Sequence, residues 1–447
     1  MSYHEISVSF QDPNTALRIV SEILERYQHE DHYAYQRDDH WYLGLGSYAS
    51  LIVDSKGDTC SLNTQSSKTS FPIDSFSIST TVREFLIGHA GDGDKVFGQV
   101  GFNYAAYIRG QSFHPGKWPL LSLLSPRTDV TLGRNSITLR GVDEKEVKEL
   151  RDFVENVGDL QVGTSPEIIG VNASNDASEY VNLVENALAD IAQGEYTKII
   201  LSRAVEIEHK IDMPSTLLLG RQENNPARSF SLNQGGYQAT GFSPELVMSA
   251  KNRKLVTEPL AGTRSCKGTA MAVEALRKEL KEDPKEILEH VLSVQATVEE
   301  LSQLCQPGTV AIEDFMSVRK CGPVQHLGSR VTGILADDKD MWNAFDVLFP
   351  SITASGIPKQ AAINAIQRLE ARPRELYSGA VIMIDGPDSF EAALVLRTVF
   401  QQPGRQWIQA GAGIISQSSP EREFTETCEK LTSIGPFVVP IATDEDS

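Results

Sequence analysis

The first 171 positions read mainly as strands. Aromatic and β-branched residues at 33–35 and 41–53 predict two of them, with Gly44 and Gly46 read as hairpin breaks. The stretches 96–108 and 137–140 have the same texture. Helical spacing occurs at 15–26 and again at 143–157, where Val147, Leu150, Val154 and Val157 fall on one face.

The small polar run Asn172-Ala-Ser-Asn-Asp176 is the best candidate for a linker or surface loop. Beyond it, Tyr180, Val184, Ala187, Leu188 and Ile191 predict a helix over 177–193, ending at Gly194. Strands are expected at 198–206 and 230–232, and a further apolar run at 246–248 precedes a turn at 251–254. A long helix starts near Asp283-Pro284, since Pro suits the first helical position and Asp the cap before it. Further strands are expected at 380–384, 392–400 and 407–410, and a last helix from Ser419-Pro420. There is no internal repeat. Helices mixed with antiparallel strand signals argue for an α+β fold rather than a doubly wound parallel sheet.

At 447 residues and 40% hydrophobic, the chain can bury a large core. Its formal charge of −19 repels phosphate backbones and anionic bilayers, so neither nucleic acid nor membrane is an expected partner. The five cysteines are scattered with no CxxC pair, which argues against a disulfide framework or a zinc site and for reduced thiols. No apolar run approaches the ~18 residues of a membrane span, and no basic-then-apolar leader opens the chain. A soluble cytoplasmic protein is the expectation. An anionic ligand would then need local cations set against the global field.

Two helical stretches each carry glutamates three apart: Glu286 with Glu289, and Glu423 with Glu426. Residues at i and i+3 share a helix face, so each pair can present two carboxylates to one point. Hard oxygen donors without clustered His or Cys suit Mg²⁺; a solvated acidic face is the commoner meaning of such a pair. Lys430 could grip an anion or simply pair with Glu426 one turn back, worth only ~0.3–0.5 kcal/mol. Lys198, if turned into a closed pocket, would become a usable base, whereas most lysines at strand ends are solvated. Glu245 follows Ser-Pro amid apolar neighbours, where burial would favour a proton-donating carboxyl over an exposed turn carboxylate. The small residues Ala410-Gly-Ala-Gly413 would let backbone N–H groups approach an anion, or would mark a tightly packed strand. His326 alone reads as a structural histidine. Neither a phosphate-binding Gly-Lys-Ser/Thr loop nor a Gly-x-Ser-x-Gly elbow is present.

Taken together, nine segments in order resemble the chorismate-utilising enzymes, most closely the salicylate synthases of siderophore biosynthesis. They are Tyr196-Thr-Lys-Ile-Ile-Leu-Ser-Arg203, Gly241-Phe-Ser-Pro-Glu-Leu-Val247, Thr257-Glu-Pro-Leu-Ala-Gly-Thr-Arg264, Lys285-Glu-Ile-Leu-Glu-His290 and Val324-Gln-His-Leu-Gly-Ser329. Thr353-Ala-Ser-Gly-Ile-Pro-Lys359, Leu376-Tyr-Ser-Gly-Ala380, Ala410-Gly-Ala-Gly-Ile-Ile415 and Pro420-Glu-Arg-Glu-Phe-Thr-Glu-Thr-Cys-Glu-Lys430 complete the series. They lie in the part spanning 177–440; the looser N-terminal part, 1–171, matches through Trp41-Tyr-Leu-Gly and Phe97-Gly-Gln-Val-Gly-Phe-Asn.

The resemblance implies one large α+β domain over 1–447, with two facing antiparallel sheets, helices outside and the site in a cleft between. It implies conversion of chorismate through isochorismate to salicylate and pyruvate, with isochorismate synthase as the alternative. An anthranilate-forming component and a chorismate-binding protein without turnover rank lower. Lys198 would be the base that activates water, Glu245 the acid at the departing hydroxyl, and Glu286, Glu289, Glu423 and Glu426 the carboxylates around Mg²⁺. Tyr377, Arg397, Lys430 and the backbone at Gly411 and Gly413 would hold the enolpyruvyl carboxylate. Leu260, Thr263, His326 and Thr353 would line the ring, with His326 near the pyruvyl transfer. Ala261 stands where aminodeoxychorismate-forming relatives carry a lysine nucleophile, and anthranilate-forming relatives lack the lysine at 198. A monomer or a homodimer is expected.

Overall fold

Two long strands organise the molecule. In the computed structural model, which describes residues 3–9, 15–157 and 168–441, His40–Val53 and Leu121–Leu132 pair antiparallel from Trp41 opposite Leu132 to Val53 opposite Leu121. The opening Met1-Ser2 and two stretches covered by the single-domain expectation, 10–14 and 158–167, lie outside the described residues, as does everything after 441.

A register shift between Ser47 and Ala49 bends this ladder, and the neighbours change across the bend. On one side the pair is flanked by His32–Arg37 and Ser136–Gly141. The sheet continues from His32–Arg37 through Arg228–Gln234, Tyr237–Ser243, Thr398–Gln402 and Arg405–Ile414 to Lys198–Ile207. On the other side it is flanked by Thr59–Thr64 and Lys95–Val100. From Lys95–Val100 this side runs through Ala380–Asp385, Ser389–Leu394, Leu246–Lys251 and Lys254–Thr257 to Val324–Ile334. The two expected sheets are therefore two wings of one 21-stranded antiparallel sheet, joined through a shared strand pair.

The wings face each other. Tyr33, Tyr35, Phe230 and Trp407 of the first pack against Phe97, Leu124, Val381 and Met383 of the second in one buried cluster, each such side chain contributing ~1.5–3 kcal/mol by leaving water. Helices cover the outer faces, with Thr15–Arg26, Glu144–Val157 and Met213–Glu223 on the first wing. Ile78–His89 and Met341–Leu348 lie on the second, while Lys359–Leu369 packs on Lys198–Ile207 at the end of the first. Among the described residues no helix is long and apolar enough to cross a membrane.

Three expected elements change shape. Gly44 and Gly46 do not break the strand; a Cβ on Gly44 would meet the Phe97 ring at 2.6 Å, and Gly46 takes φ +61° just before the bend. These glycines serve close packing and curvature. The 96–108 stretch stops as a strand at Val100 and closes with a helical turn, Tyr104–Tyr107. The 392–400 strand is split into Ser389–Leu394 and Thr398–Gln402, with Arg397 between them at φ +51°.

Candidate active site

A solvent-connected cleft lies where Arg405–Ile414 of the first wing faces Leu260–Ser265 and Val324–Ile334 of the second. Except for Lys198, Glu286 and Glu423, every candidate residue chosen from the sequence borders it. Those three are buried beside it: Lys198 is ion-paired with Glu289, Glu286 with Arg264 and Glu423 with Lys285.

Lys198 opens the strand Lys198–Ile207 and is fully buried, unlike an ordinary strand-end lysine. Its Nζ lies 3.0 Å from Glu289 Oε1 and donates to Ser293 Oγ at 2.9 Å. Glu245 follows the strand Tyr237–Ser243 and is 1% exposed. Its Oε1 accepts from Ser351 Oγ at 2.9 Å and from Thr353 Oγ1 at 2.5 Å. Burial pushes this carboxyl up to about 8, against the pull of the two hydroxyls. It is a carboxylic acid able to hold its proton near neutral pH.

The four glutamates come from two helices. Asp283 caps Pro284–Ser302, its carboxylate accepting from the N–H groups of Lys285 and Glu286. That start fixes Glu286 and Glu289 on the inner face, and Pro420–Leu431 brings Glu423 and Glu426 against them. All four are at most 5% exposed. Glu286 accepts from Arg264 at 2.9 Å and from the Thr263 N–H at 3.2 Å. Glu426 accepts from Lys430 Nζ at 2.8 Å and from Thr263 Oγ1 at 3.2 Å. Burial raises Glu289 and Glu426, but Lys198 and Lys285 outweigh it at the first, and Lys430 and Lys285 at the second; both end below the usual range. Glu423 goes the other way, pushed up to about 7 by burial and by Glu426.

Neither oxygen of Glu423 has a hydrogen-bond partner. Lys285 Nζ stands 3.1 Å from it, an ion-pair contact without hydrogen-bond alignment. A buried carboxylate with unused lone pairs, beside three others, is the donor set a hard divalent cation takes. Among the described residues, however, no three acidic, His or Cys side chains converge in metal-ligand geometry. The chemistry of the set fits such an ion; the present arrangement is built round an ammonium.

At the other end the cleft is cationic. The left-handed backbone at Arg397 turns its guanidinium inward, where it donates to the Cys321 carbonyl at 2.9 Å and to His326 Nε2 at 2.5 Å. His326 Nδ1 donates to the Gly262 carbonyl at 3.1 Å, so these partners fix its tautomer. Burial, then Arg397 and Lys430, push His326 down to about 3, leaving it neutral. Gly411 and Gly413 lie within the strand Arg405–Ile414, not in a loop after it. Lys430 donates to the Gly411 carbonyl at 2.8 Å, which shows that this peptide edge points away from Lys198–Ile207 and leaves its N–H on the cleft side. A Cβ on Gly411 would lie 2.6 Å from the Leu201 carbonyl oxygen, so only glycine fits there, and one on Gly413 would lie 2.1 Å from Glu289 Oε1 and displace that carboxylate. Leu260, Thr263 and Thr353 complete the wall.

Residues 30–436 match the chorismate binding enzyme family. The chain belongs to that family. It is 37% identical over 436 residues to a salicylate synthase of Mycolicibacterium paratuberculosis, covering 96% of this chain and 94% of that one. Its fold is similar to that of anthranilate synthase component I from Streptococcus pneumoniae, with a TM-score of 0.74 at 21% identity over 89% of this chain and 92% of that one. The menaquinone-specific isochorismate synthase of Escherichia coli gives 0.72 at 20% identity, over 98% and 94%. At these identities the structures speak to the fold alone.

This chorismate-binding enzyme also uses residues that the sequence reading passed over. Ser293 lies one turn after Glu289 and receives the Lys198 amine. Ser351 holds Glu245 alongside Thr353. Lys285 touches three of the four glutamates. Helical spacing could have flagged Ser293 and Lys285, which share the turn-by-turn face of Glu289; nothing local pairs Ser351 with a residue 106 positions away.

Proposed function

We propose that the enzyme converts chorismate through isochorismate to salicylate and pyruvate, with Mg²⁺ as cofactor. The observation that carries this reading is Glu245: a carboxyl 1% exposed and held by two hydroxyls, in a cleft that also carries Arg397 and Lys430. The near full-length similarity to a salicylate synthase supports it.

Lys198, an ammonium paired with Glu289 in the metal-free site, gives up its own proton first; as a neutral amine it then takes one from the water that adds at C2 of the ring, and Glu245 gives its proton to the hydroxyl leaving C4. One water enters and one leaves, so the product is the isomer isochorismate. Pre-placing acid and base typically contributes 10²–10⁴-fold each. Arg397, Tyr377, Lys430 and the N–H groups of Gly411 and Gly413 bind the enolpyruvyl carboxylate, which resolves the conflict between an acidic protein and an anionic substrate. His326, neutral and held between Gly262 and Arg397, orients that guanidinium. Glu286, Glu289, Glu423 and Glu426 would hold the metal, which would supply positive charge for the ring carboxylate. The second step moves the C2 hydrogen to the enolpyruvyl methylene as the C–O bond breaks, giving salicylate and pyruvate. It needs a folded substrate and no nucleophile, so the walls contribute positioning.

Incubation with chorismate and Mg²⁺, followed by product separation, tests the reading. Equal amounts of salicylate and pyruvate are expected. Isochorismate accumulating without salicylate would make the enzyme an isochorismate synthase, and anthranilate formed with ammonium would place it in the amine-adding branch. Unchanged chorismate would overturn the catalytic reading.

A further inference from the structure

Lys285 stands where the four-glutamate cluster needs positive charge. Its Nζ is 3.1 Å from Glu423, 3.2 Å from Glu289 and 3.6 Å from Glu286, so one ammonium bridges both helices. The other glutamates have private cations as well: Arg264 at Glu286, Lys198 at Glu289 and Lys430 at Glu426. Glu423 has none. Among the described residues Lys285 is the one cation touching it, and Glu423 is 0% exposed. Removing that ammonium would leave Glu423 with no positive partner beside three other carboxyls, a destabilising arrangement.

The position of Lys285 also lets it leave. It is the second residue of Pro284–Ser302, at the end of the helix where the dipole disfavours a cation. Its side chain keeps 15% exposure, and four methylenes give it reach towards solvent. While it stays, the carboxylates do not converge in metal-ligand geometry.

We infer that Lys285 is the resident counter-ion of the metal-free site: its ammonium holds the two glutamate pairs together and must withdraw for a divalent ion to enter. Lys285 is therefore a built-in competitor that weakens metal binding while protecting the empty cluster. This rests on the Mg²⁺ reading above. The site trades affinity for integrity.

Three measurements on the full chain without chorismate test it. Mg²⁺ titration by calorimetry should give binding at least tenfold tighter for Lys285→Met than for the wild type. In EDTA the Lys285→Met protein should melt several degrees lower, and saturating Mg²⁺ should close most of that gap. In the wild type, acetylation of the Lys285 amine, followed by mass spectrometry, should quicken when Mg²⁺ is added; this arm holds even if the variant fails to fold. Mg²⁺ binding to the wild type with no tighter binding by the variant, or with Lys285 labelling slowed or unchanged, would overturn the counter-ion role alone. A wild type that binds neither Mg²⁺ nor Mn²⁺ at millimolar concentration would overturn the metal reading, and the competition with it.

Discussion

Glu245 and Glu426 are 1% and 4% exposed, yet their neighbours set them to opposite charge states. Around Glu245 the polar groups in contact are the hydroxyls of Ser351 and Thr353, and burial wins, raising the carboxyl to about 8. Around Glu426 stand Lys430 and Lys285, and ion pairing wins, holding it well below the carboxylate range. Burial costs the charged form in both places; whether a cation lies within reach decides the outcome. One cleft thus keeps a proton donor at one point and anionic oxygens at another.

The sharpest way to break this comparison is to remove the proton. Glu245→Gln keeps the shape and the hydrogen-bond acceptor but cannot donate H⁺, and steady-state turnover of chorismate should fall by about 10³-fold or more. Lys198→Ala should do the same from the base side. Circular dichroism should show both variants folded; near-normal kcat in either would remove that residue from the chemistry.

A smaller effect is the wild-type pH profile. Because Glu245 acts in its protonated form, kcat/KM should decline as pH rises through about 8. Ser351→Ala removes a hydroxyl that favours the carboxylate, so its alkaline limb should move to higher pH. A limb that stays put, or moves down, would contradict the assignment.

A separate effect, outside catalysis, is on stability. In the unfolded chain Glu245 ionises near ~4.3, while in the folded chain its pKa is about 8. Its stabilising share is complete below the lower value and is lost as pH rises through the higher one. Glu245→Gln should therefore become more stable than the wild type as pH climbs, with a gap approaching roughly 3–5 kcal/mol above pH 8. Chemical denaturation at pH 5 and pH 8.5 checks this; an equal gap at both would show that Glu245 is not held protonated.

Much of the architecture was legible where a local pattern decides it. The helix 177–193 shows as Ala177–Ala192, the Asp283-Pro284 start holds, and the Ser419-Pro420 start gives Pro420–Leu431. Periodicity failed where tertiary contacts override it. Ala392 to Phe400 reads as an unbroken β run, but Arg397 in its middle is left-handed, with its guanidinium on His326 and the Cys321 carbonyl and its own carbonyl accepting from the Phe242 N–H, contacts no local pattern shows. The strand Leu121–Leu132 carries Ser, Pro, Arg, Thr and Asp in its sequence and was not expected at all; its register comes from the His40–Val53 partner. The glutamate pairs were visible from their spacing, but that they meet is a property of two helices 134 positions apart, Glu289 to Glu423. Lys285 looked like any lysine beside glutamates on a helix, because sequence does not distinguish a buried bridge from a solvated pair.

The most direct test of the account is to run the enzyme on chorismate and Mg²⁺ in ¹⁸O-labelled water and weigh the salicylate. Addition of water at C2 predicts one ¹⁸O in the phenolic hydroxyl, with pyruvate released in equal amount. Salicylate without the label would contradict water addition activated by Lys198.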